Sequence, residues 1–188
     1  MFTTISKGIN RFSTGWVTII ALLIMLVFMV LVLPGQTQKA DQYSAATGSP
    51  DLSIYYSATD LYEMAEGYGE AGRQAYINSR WTFDLAFPAV YGFFLVTAIS
   101  WVNRKAFVAG SAWLLTNLLP VGGVLFDLLE NGSASIVLAR YPAATDLLAQ
   151  LAGIFTLLKW VFVGGSFVML VIGLVLWLVN WSRTKKQV

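Results

Sequence analysis

Five ionisable residues lie within or beside apolar stretches of the sequence: Arg80, Asp84, Asp127, Glu130 and Lys159. Charged groups at membrane depth are costly, and they usually face the protein interior, where they pair with each other or form a functional site. Carboxylates can act as general acids and bases or bind a hard cation such as Ca²⁺ or Mg²⁺. Three alternatives are therefore open: structural ion pairing, a ligand or substrate site, and a metal site. The two basic groups disfavour a high-affinity metal.

The spacing of these residues predicts which of them share a helix face. Arg80 and Asp84 are one helical turn apart, as are Asp127 and Asn131, with Glu130 beside them. We therefore expect an Arg80–Asp84 ion pair. Lys159 should pair with either Asp127 or Glu130. Tyr91 continues the face of Arg80 and Asp84, and Asn117 continues the face of Asp127 and Asn131. The candidate cluster therefore comprises Arg80, Asp84, Tyr91, Asn117, Asp127, Glu130, Asn131 and Lys159.

Composition indicates the environment of this cluster. Of 188 residues, 57% are hydrophobic and 12% are charged, whereas soluble domains carry about 25% charged residues. The sequence contains no cysteine and no histidine. This excludes disulfides, zinc or haem held by Cys or His, and triads that depend on histidine. We expect an integral membrane protein without a metal or other cofactor.

Four apolar segments are long enough to cross a bilayer, which takes about 20 residues per helix. They predict an all-α fold, a four-transmembrane-helix bundle, with spans at residues 16–34, 82–102, 107–129 and 155–181. The first span is expected to be an uncleaved anchor and the most lipid-exposed helix, because it carries no polar stripe. On the fourth span, Lys159, Ser166, Gly173 and Asn180 recur every seven residues, as on the packed face of a left-handed bundle. The remaining residues form two tails (1–15 and 182–188), a short turn (103–106) and two longer connections (35–81 and 130–154).

The distribution of basic residues predicts the orientation. Cytoplasmic segments of membrane proteins are enriched in lysine and arginine. The two tails and the short turn contain basic residues and no acid. Both termini should therefore be cytoplasmic. The chain is expected to be a multi-pass protein of the plasma (bacterial inner) membrane. In this orientation the five cluster charges should lie at similar depth, towards the outer side. The basic residues concerned are Lys7, Arg11, Arg104, Lys105, Arg183, Lys185 and Lys186.

The connection at residues 35–81 is predicted to form an extended arm followed by an extracytoplasmic helical cap. Its first part, to residue 51, is rich in small and polar residues. Ser57 and Asp60 then match a capping box, and Gly67 and Gly69 should interrupt the helix that follows. A second helix should start near Glu70 and run into span two. The alternative is an amphipathic hairpin on the membrane surface. The residues expected on the buried face of the first helix are Leu61, Met64, Ala65 and Tyr68.

Two groups of motifs resemble those of an uncharacterised family of prokaryotic four-helix integral membrane proteins. The first is Tyr68-Gly-Glu-Ala-Gly-Arg73 with Tyr76 and Trp81-Thr-Phe-Asp84, and the second is Asp127-Leu-Leu-Glu130-Asn131 with Tyr141-Pro142 and Lys159-Trp160. The resemblance implies the four-helix fold and no particular activity. In topology and acid placement the chain also resembles the sterol-isomerase and sigma-2 receptor-like fold, an analogy that does not transfer function.

These features favour a non-enzymatic protein that binds a partner or lipid through its outer cap and polar cluster. The alternative is a small intramembrane enzyme, or a receptor for a lipid or small hydrophobic ligand, that uses Asp84, Asp127 and Glu130. A transporter or channel would require oligomerisation, because four helices are few for alternating access and no internal repeat is visible. The expected partners are membrane lipids and either a protein partner or a second copy of the chain. No nucleic acid is expected.

Overall fold

A computed structural model describes residues 2–185, which are mostly helical and contain no strand. A π-helical turn at Phe28–Val32 joins α2 to α3, and 3₁₀ turns occupy Pro50–Leu52 and Ala112–Leu118. Lys186, the last basic residue of the predicted C-terminal tail, lies outside the described residues. The α-helices are α1 (Phe2–Phe12), α2 (Gly15–Val27), α3 (Leu33–Ser44), α4 (Ala58–Gly67), α5 (Gly69–Arg80), α6 (Phe83–Ala106), α7 (Leu119–Arg140) and α8 (Asp146–Lys185).

Four helical stretches are long and apolar enough to cross a membrane: Gly15–Ser44, Gly69–Ala106, Ala112–Arg140 and Asp146–Lys185. In the most apolar 18-residue segment of the first stretch, 11% of the residues are buried. The corresponding share in the other three stretches is 17–50%. The first stretch is therefore the least buried, as expected for the most lipid-exposed helix. On α8, the predicted stripe is buried at Lys159, Ser166 and Gly173, whereas its fourth residue, Asn180, is exposed, so the stripe packs inward only as far as Gly173.

The prediction of a loosely structured arm from residue 35 is wrong in its first part, because α3 continues as a helix to Ser44. Pro34 lies in the first turn of α3. That turn directly follows the π-helical turn Phe28–Val32, where the regular hydrogen-bond ladder of an α-helix is already interrupted, so a proline is accommodated there. The irregular part of the connection is thus confined to residues 45–57.

The start of the third span also differs from the prediction. Residues 107–111 are not helical, the 3₁₀ turn follows, and α7 begins only at Leu119. Pro120 is the second residue of α7, a position where it removes no hydrogen bond of that α-helix. The proline therefore marks the start of an α-helix.

The predicted helices after residue 57 are present. The side chain of Ser57 accepts a hydrogen bond from the Asp60 N–H, and the Asp60 carboxylate accepts one from the Ser57 N–H, which completes the capping box. Gly69 adopts a φ of +63°, in the left-handed region that favours glycine, and this ends α4 before α5 begins. Helix α5 stops at Arg80, and residues 81–82 form a turn before α6.

The chain divides into two compact units. Unit 1 contains the residues up to Met25, Val90–Gly122 and the residues from Val161 onward, and unit 2 contains Leu26–Ala89 and Gly123–Trp160. The core of unit 2 joins α4 and α5 to α7 and α8, and it confirms the predicted buried face of α4. Its buried residues are Tyr56, Leu61, Met64, Ala65, Tyr68, Tyr76, Ala134, Val137, Leu138, Ala149 and Ala152.

Candidate functional site

Arg80 is the centre of the first group of charges in unit 2. It is the last residue of α5, and its side chain is only 3% exposed. Both terminal nitrogens of its guanidinium donate hydrogen bonds to the Asp51 carboxylate, a bidentate arrangement that adds geometric specificity. Its Nε lies 3.2 Å from Oδ2 of Asp84, so the ion pair predicted from the four-residue spacing is present.

Asn131 links this group to helix α7. Its Oδ1 accepts a hydrogen bond of 3.2 Å from Nη1 of Arg80. Its Nδ2 donates to the Asp84 carbonyl oxygen at 3.2 Å and to Oδ1 of Asp127 at 3.3 Å. The Tyr76 ring lies 4.3 Å from the guanidinium carbon of Arg80, close enough for a cation–π contact. One buried arginine thus ties α5, α6 and α7 together.

Glu130 and Lys159 form the second group. Nζ of Lys159 lies 2.5 Å from Oε2 of Glu130, and the two residues are 7% and 0% exposed. Of the two partners that the sequence allowed for Lys159, Glu130 forms the ion pair. The Tyr56 hydroxyl donates to Oε1 of Glu130 at 3.3 Å. The pair therefore joins α7 to α8 and holds the segment that precedes α4.

Asp51 and Tyr56 are the two cluster residues that sequence analysis missed. Both lie in the irregular segment, and their partners are 29 and 74 residues away in sequence. Burial acts to raise the pKa of Asp51, but attraction to the Arg80 guanidinium outweighs it and lowers that pKa. Burial, reinforced by the negative charge of Glu130, raises the pKa of the Tyr56 hydroxyl well above its ordinary value. Asp51 is therefore held as a carboxylate, and Tyr56 as a neutral donor.

Residues 49–57, which we call the anchored segment, also approach α8 through the backbone. A β-carbon placed at Gly153 would lie 1.9 Å from the carbonyl oxygen of Tyr56, so only glycine permits this approach. Nε1 of Trp160 donates to the carbonyl oxygen of Ser53 at 3.0 Å. The anchored segment is therefore fastened at Asp51, Ser53 and Tyr56.

The geometry shows what this cluster can do chemically. Asp51, Asp84 and Glu130 each lie in an ion pair with a buried cation. In each of these pairs, oxygen atoms of the carboxylate are directed at donors of the protein. Within residues 2–185, no group of three or more acidic side chains could hold a metal ion. The pairs join the anchored segment, α5, α6, α7 and α8 to one another.

Tyr91 and Asn117, which the sequence placed in the same cluster, belong to unit 1. The Asn117 amide is fully buried, and it donates to Oγ of Ser100 at 2.9 Å and to the carbonyl oxygen of Ser6 at 3.3 Å. Tyr91 is also buried. Helical spacing placed both residues on suitable faces, but spacing does not predict how far along a helix a cluster extends.

Comparison with known proteins adds no functional assignment. No protein-family model, curated protein sequence or solved structure matches this chain. Its function must therefore be inferred from the cluster and from the surface that the cluster positions.

Proposed function

We propose that this chain is a non-enzymatic multi-pass membrane protein that binds a partner protein through an extracytoplasmic cap. The cap consists of the anchored segment with α4 and α5. The observation that carries the proposal is that Asp51, Arg80, Asp84, Glu130 and Lys159 are paired with one another, while the segment that they fasten leaves apolar side chains exposed.

The exposed side chains lie between the attachment points of the anchored segment. Leu52, Ile54 and Tyr55 are 81%, 70% and 56% exposed, although Asp51 and Tyr56 on either side are held by the cluster. A fixed surface loses little conformational entropy on binding, which favours affinity. Exposed aromatic and aliphatic side chains on a rigid support are typical anchors of protein interfaces.

The charge of the neighbouring helices favours a protein over an anionic bilayer as the partner. The acidic side chains of α4 and the start of α5 are all exposed, whereas the apolar face of α4 is buried. Negative charges next to anionic headgroups would be repelled, and a basic protein surface would complement them. These residues, which we call the acidic ridge, are Asp60, Glu63, Glu66 and Glu70.

The distribution of charge supports an extracytoplasmic position for this surface. All acidic residues of the sequence belong to unit 2, together with the whole cap. The basic segments without acids belong to unit 1, which the positive-inside rule would place towards the cytoplasm. The cap would then face the cell exterior or the periplasm.

A photocrosslinking experiment in intact cells tests the proposal. A photoreactive amino acid would replace Leu52 in the cap or, as a matched control, Val108 in unit 1, which is 80% exposed and outside the cap. We expect a discrete protein adduct at position 52 and not at position 108. Reversing the acidic ridge with Glu63→Lys and Glu66→Lys should abolish that adduct without changing the melting temperature.

Three outcomes would contradict the proposal. One is labelling of lipid alone at position 52, and another is the same adducts at both positions. The third is an adduct that survives charge reversal of the ridge. A ligand that copurifies with the chain and is lost in the variant Asp84→Asn, while the adduct remains absent, would favour the receptor alternative.

A further inference from the structure

The N-terminal helix α1 has an apolar face that its own unit does not cover. Phe2, Ile5 and Phe12 are 69%, 43% and 59% exposed, and Ile9 between them is half-buried. These positions recur at intervals of three and four residues, so they share one side of the helix. Lys7 and Arg11 are exposed on the opposite side. A basic amphipathic helix of this kind is typical of segments that lie in the plane of a membrane surface.

A second observation fixes the orientation of α1 within unit 1. The buried Ser6 hydroxyl donates to the carbonyl oxygen of Leu114, and Asn117 donates to the Ser6 carbonyl oxygen. Arg104, at the end of α6, donates to the carbonyl oxygen of Ser13, directly after α1. The helix is therefore held on one side by polar contacts, and its apolar face has a defined direction.

The apolar face continues onto the surface of a candidate membrane span. The rings of Phe12 and Phe93 lie 6.4 Å apart, and Phe93 is 40% exposed on α6. Trp16, at the start of the span that follows α1, is 77% exposed. Tryptophan is enriched at membrane–water boundaries. A bilayer that covers the exposed surface of α6 would therefore also reach the apolar side of α1.

The charge of unit 1 identifies the class of lipid. The sequence of this unit contains no aspartate or glutamate, and its described basic residues other than Lys7 lie near the ends of its helices. Each lysine or arginine near an anionic surface strengthens attraction about five-fold. The described basic residues of the unit are Lys7, Arg11, Arg104, Lys105, Arg183 and Lys185.

We propose that α1 is an in-plane anchor that lies on an anionic lipid surface. Phe2, Ile5 and Phe12 enter the boundary between headgroups and acyl chains, while Lys7 and Arg11 contact the phosphate groups. The anchor would fix the first residues of unit 1 at the membrane surface, and it does not depend on a partner for the cap.

Site-directed fluorescence tests this placement, and the absence of cysteine from the chain gives each introduced thiol a unique label. Ile5→Cys on the apolar side and Thr4→Cys on the polar side would be labelled with an environment-sensitive fluorophore. The full chain would be reconstituted into vesicles of phosphatidylcholine with one quarter phosphatidylglycerol. We expect nitroxide lipids to quench the label at position 5 several-fold more than the label at position 4. Aqueous iodide should give the reverse order.

The charge contribution is tested separately. Replacing the anionic lipid by phosphatidylcholine, or introducing Lys7→Gln together with Arg11→Gln, should reduce lipid quenching at position 5 at least two-fold. An unchanged melting temperature of the variant would show that it is folded. Unchanged quenching would overturn the requirement for anionic lipid. Equal exposure of positions 4 and 5 to iodide would overturn the anchor itself, as would shielding of position 5 from both quenchers, which would indicate a protein contact.

Discussion

The buried pair Glu130–Lys159 gives the sharpest test of the view that the cluster is structural. At a separation of 2.5 Å and an effective dielectric constant of about 20, the attraction between the two charges is about 7 kcal/mol. Desolvation of both groups offsets much of this attraction, so the pair contributes little net stability. Removing one partner leaves the other charged, buried and unpaired, at a cost of about 3–5 kcal/mol.

We therefore expect Glu130→Gln and Lys159→Met each to lower the free energy of unfolding by about 3–5 kcal/mol. Glutamine keeps an acceptor for the Tyr56 hydroxyl, and methionine retains most of the volume of the lysine stem. The double variant has no unpaired charge. Its free energy of unfolding should be lowered by only about 1–3 kcal/mol, because the amide introduced at position 130 lacks some of its hydrogen-bond partners. The double variant should thus be more stable than either single variant.

Unfolding in mixed detergent micelles, followed by tryptophan fluorescence, measures all four proteins of this cycle. Trp160 is a suitable reporter, because its ring lies 5.5 Å from Nζ of Lys159. Glu66→Gln makes the same chemical change at an exposed position, and it should alter stability by less than about 0.5 kcal/mol. If the effects of the two single substitutions simply add in the double variant, the two charges are not coupled and the structural interpretation is wrong.

Three further predictions concern the anchored segment and the helix that follows it. Gly153→Ala should displace the segment and raise the accessibility of Trp160, which is already 41% exposed, to iodide quenching, whereas Gly164→Ala on the same helix has open space and should not. Ser57→Ala should cost about 1 kcal/mol in thermal unfolding, because it removes the cap that Asp60 completes; an unchanged melting temperature would contradict this. The pKa of Asp51 is lowered in the folded state, so its stabilisation is present above its unfolded value of about 3.9 and is lost as the pH falls through the folded value. Asp51→Asn should therefore flatten the dependence of melting temperature on pH below about pH 4, and an equally steep decline in the variant would refute this.

Local signals in the sequence predicted much of the fold. Hydropathy located the four candidate spans, the spacing of Ser57 and Asp60 predicted a helix start, and Gly69 predicted a break. The pair Arg80–Asp84 followed from helical spacing alone. Hydropathy is a property of one continuous segment, and the other signals extend over one or two helical turns, so the residues that determine these features are close together in the sequence.

The predictions that failed required information that local patterns do not contain. Small and polar residues after Pro34 are typical of loops, yet a proline in the first helical turn is compatible with the continuation to Ser44. Asp51 contacts Arg80 only because the chain folds back after α3, and no periodic pattern marks that return. The close approach at Gly153 is equally invisible in the sequence, since many glycines in helices have open space around them.

The cluster explains why a chain with so few charges keeps several of them buried. Asp51, Arg80, Glu130 and Lys159 lie on four separate stretches: the anchored segment, α5, α7 and α8. Apolar contacts alone hold helices together without fixing their register, whereas an ion pair loses most of its attraction when one helix slides or turns. Because each pair joins two different stretches, an incorrect register would leave a buried charge unpaired, at a cost of several kcal/mol. The main effect of the pairs is therefore to disfavour incorrect arrangements of these stretches, and their net contribution to the stability of the correct one is small. Because the arrangement is fixed in this way, Leu52, Ile54 and Tyr55 are held in an exposed position.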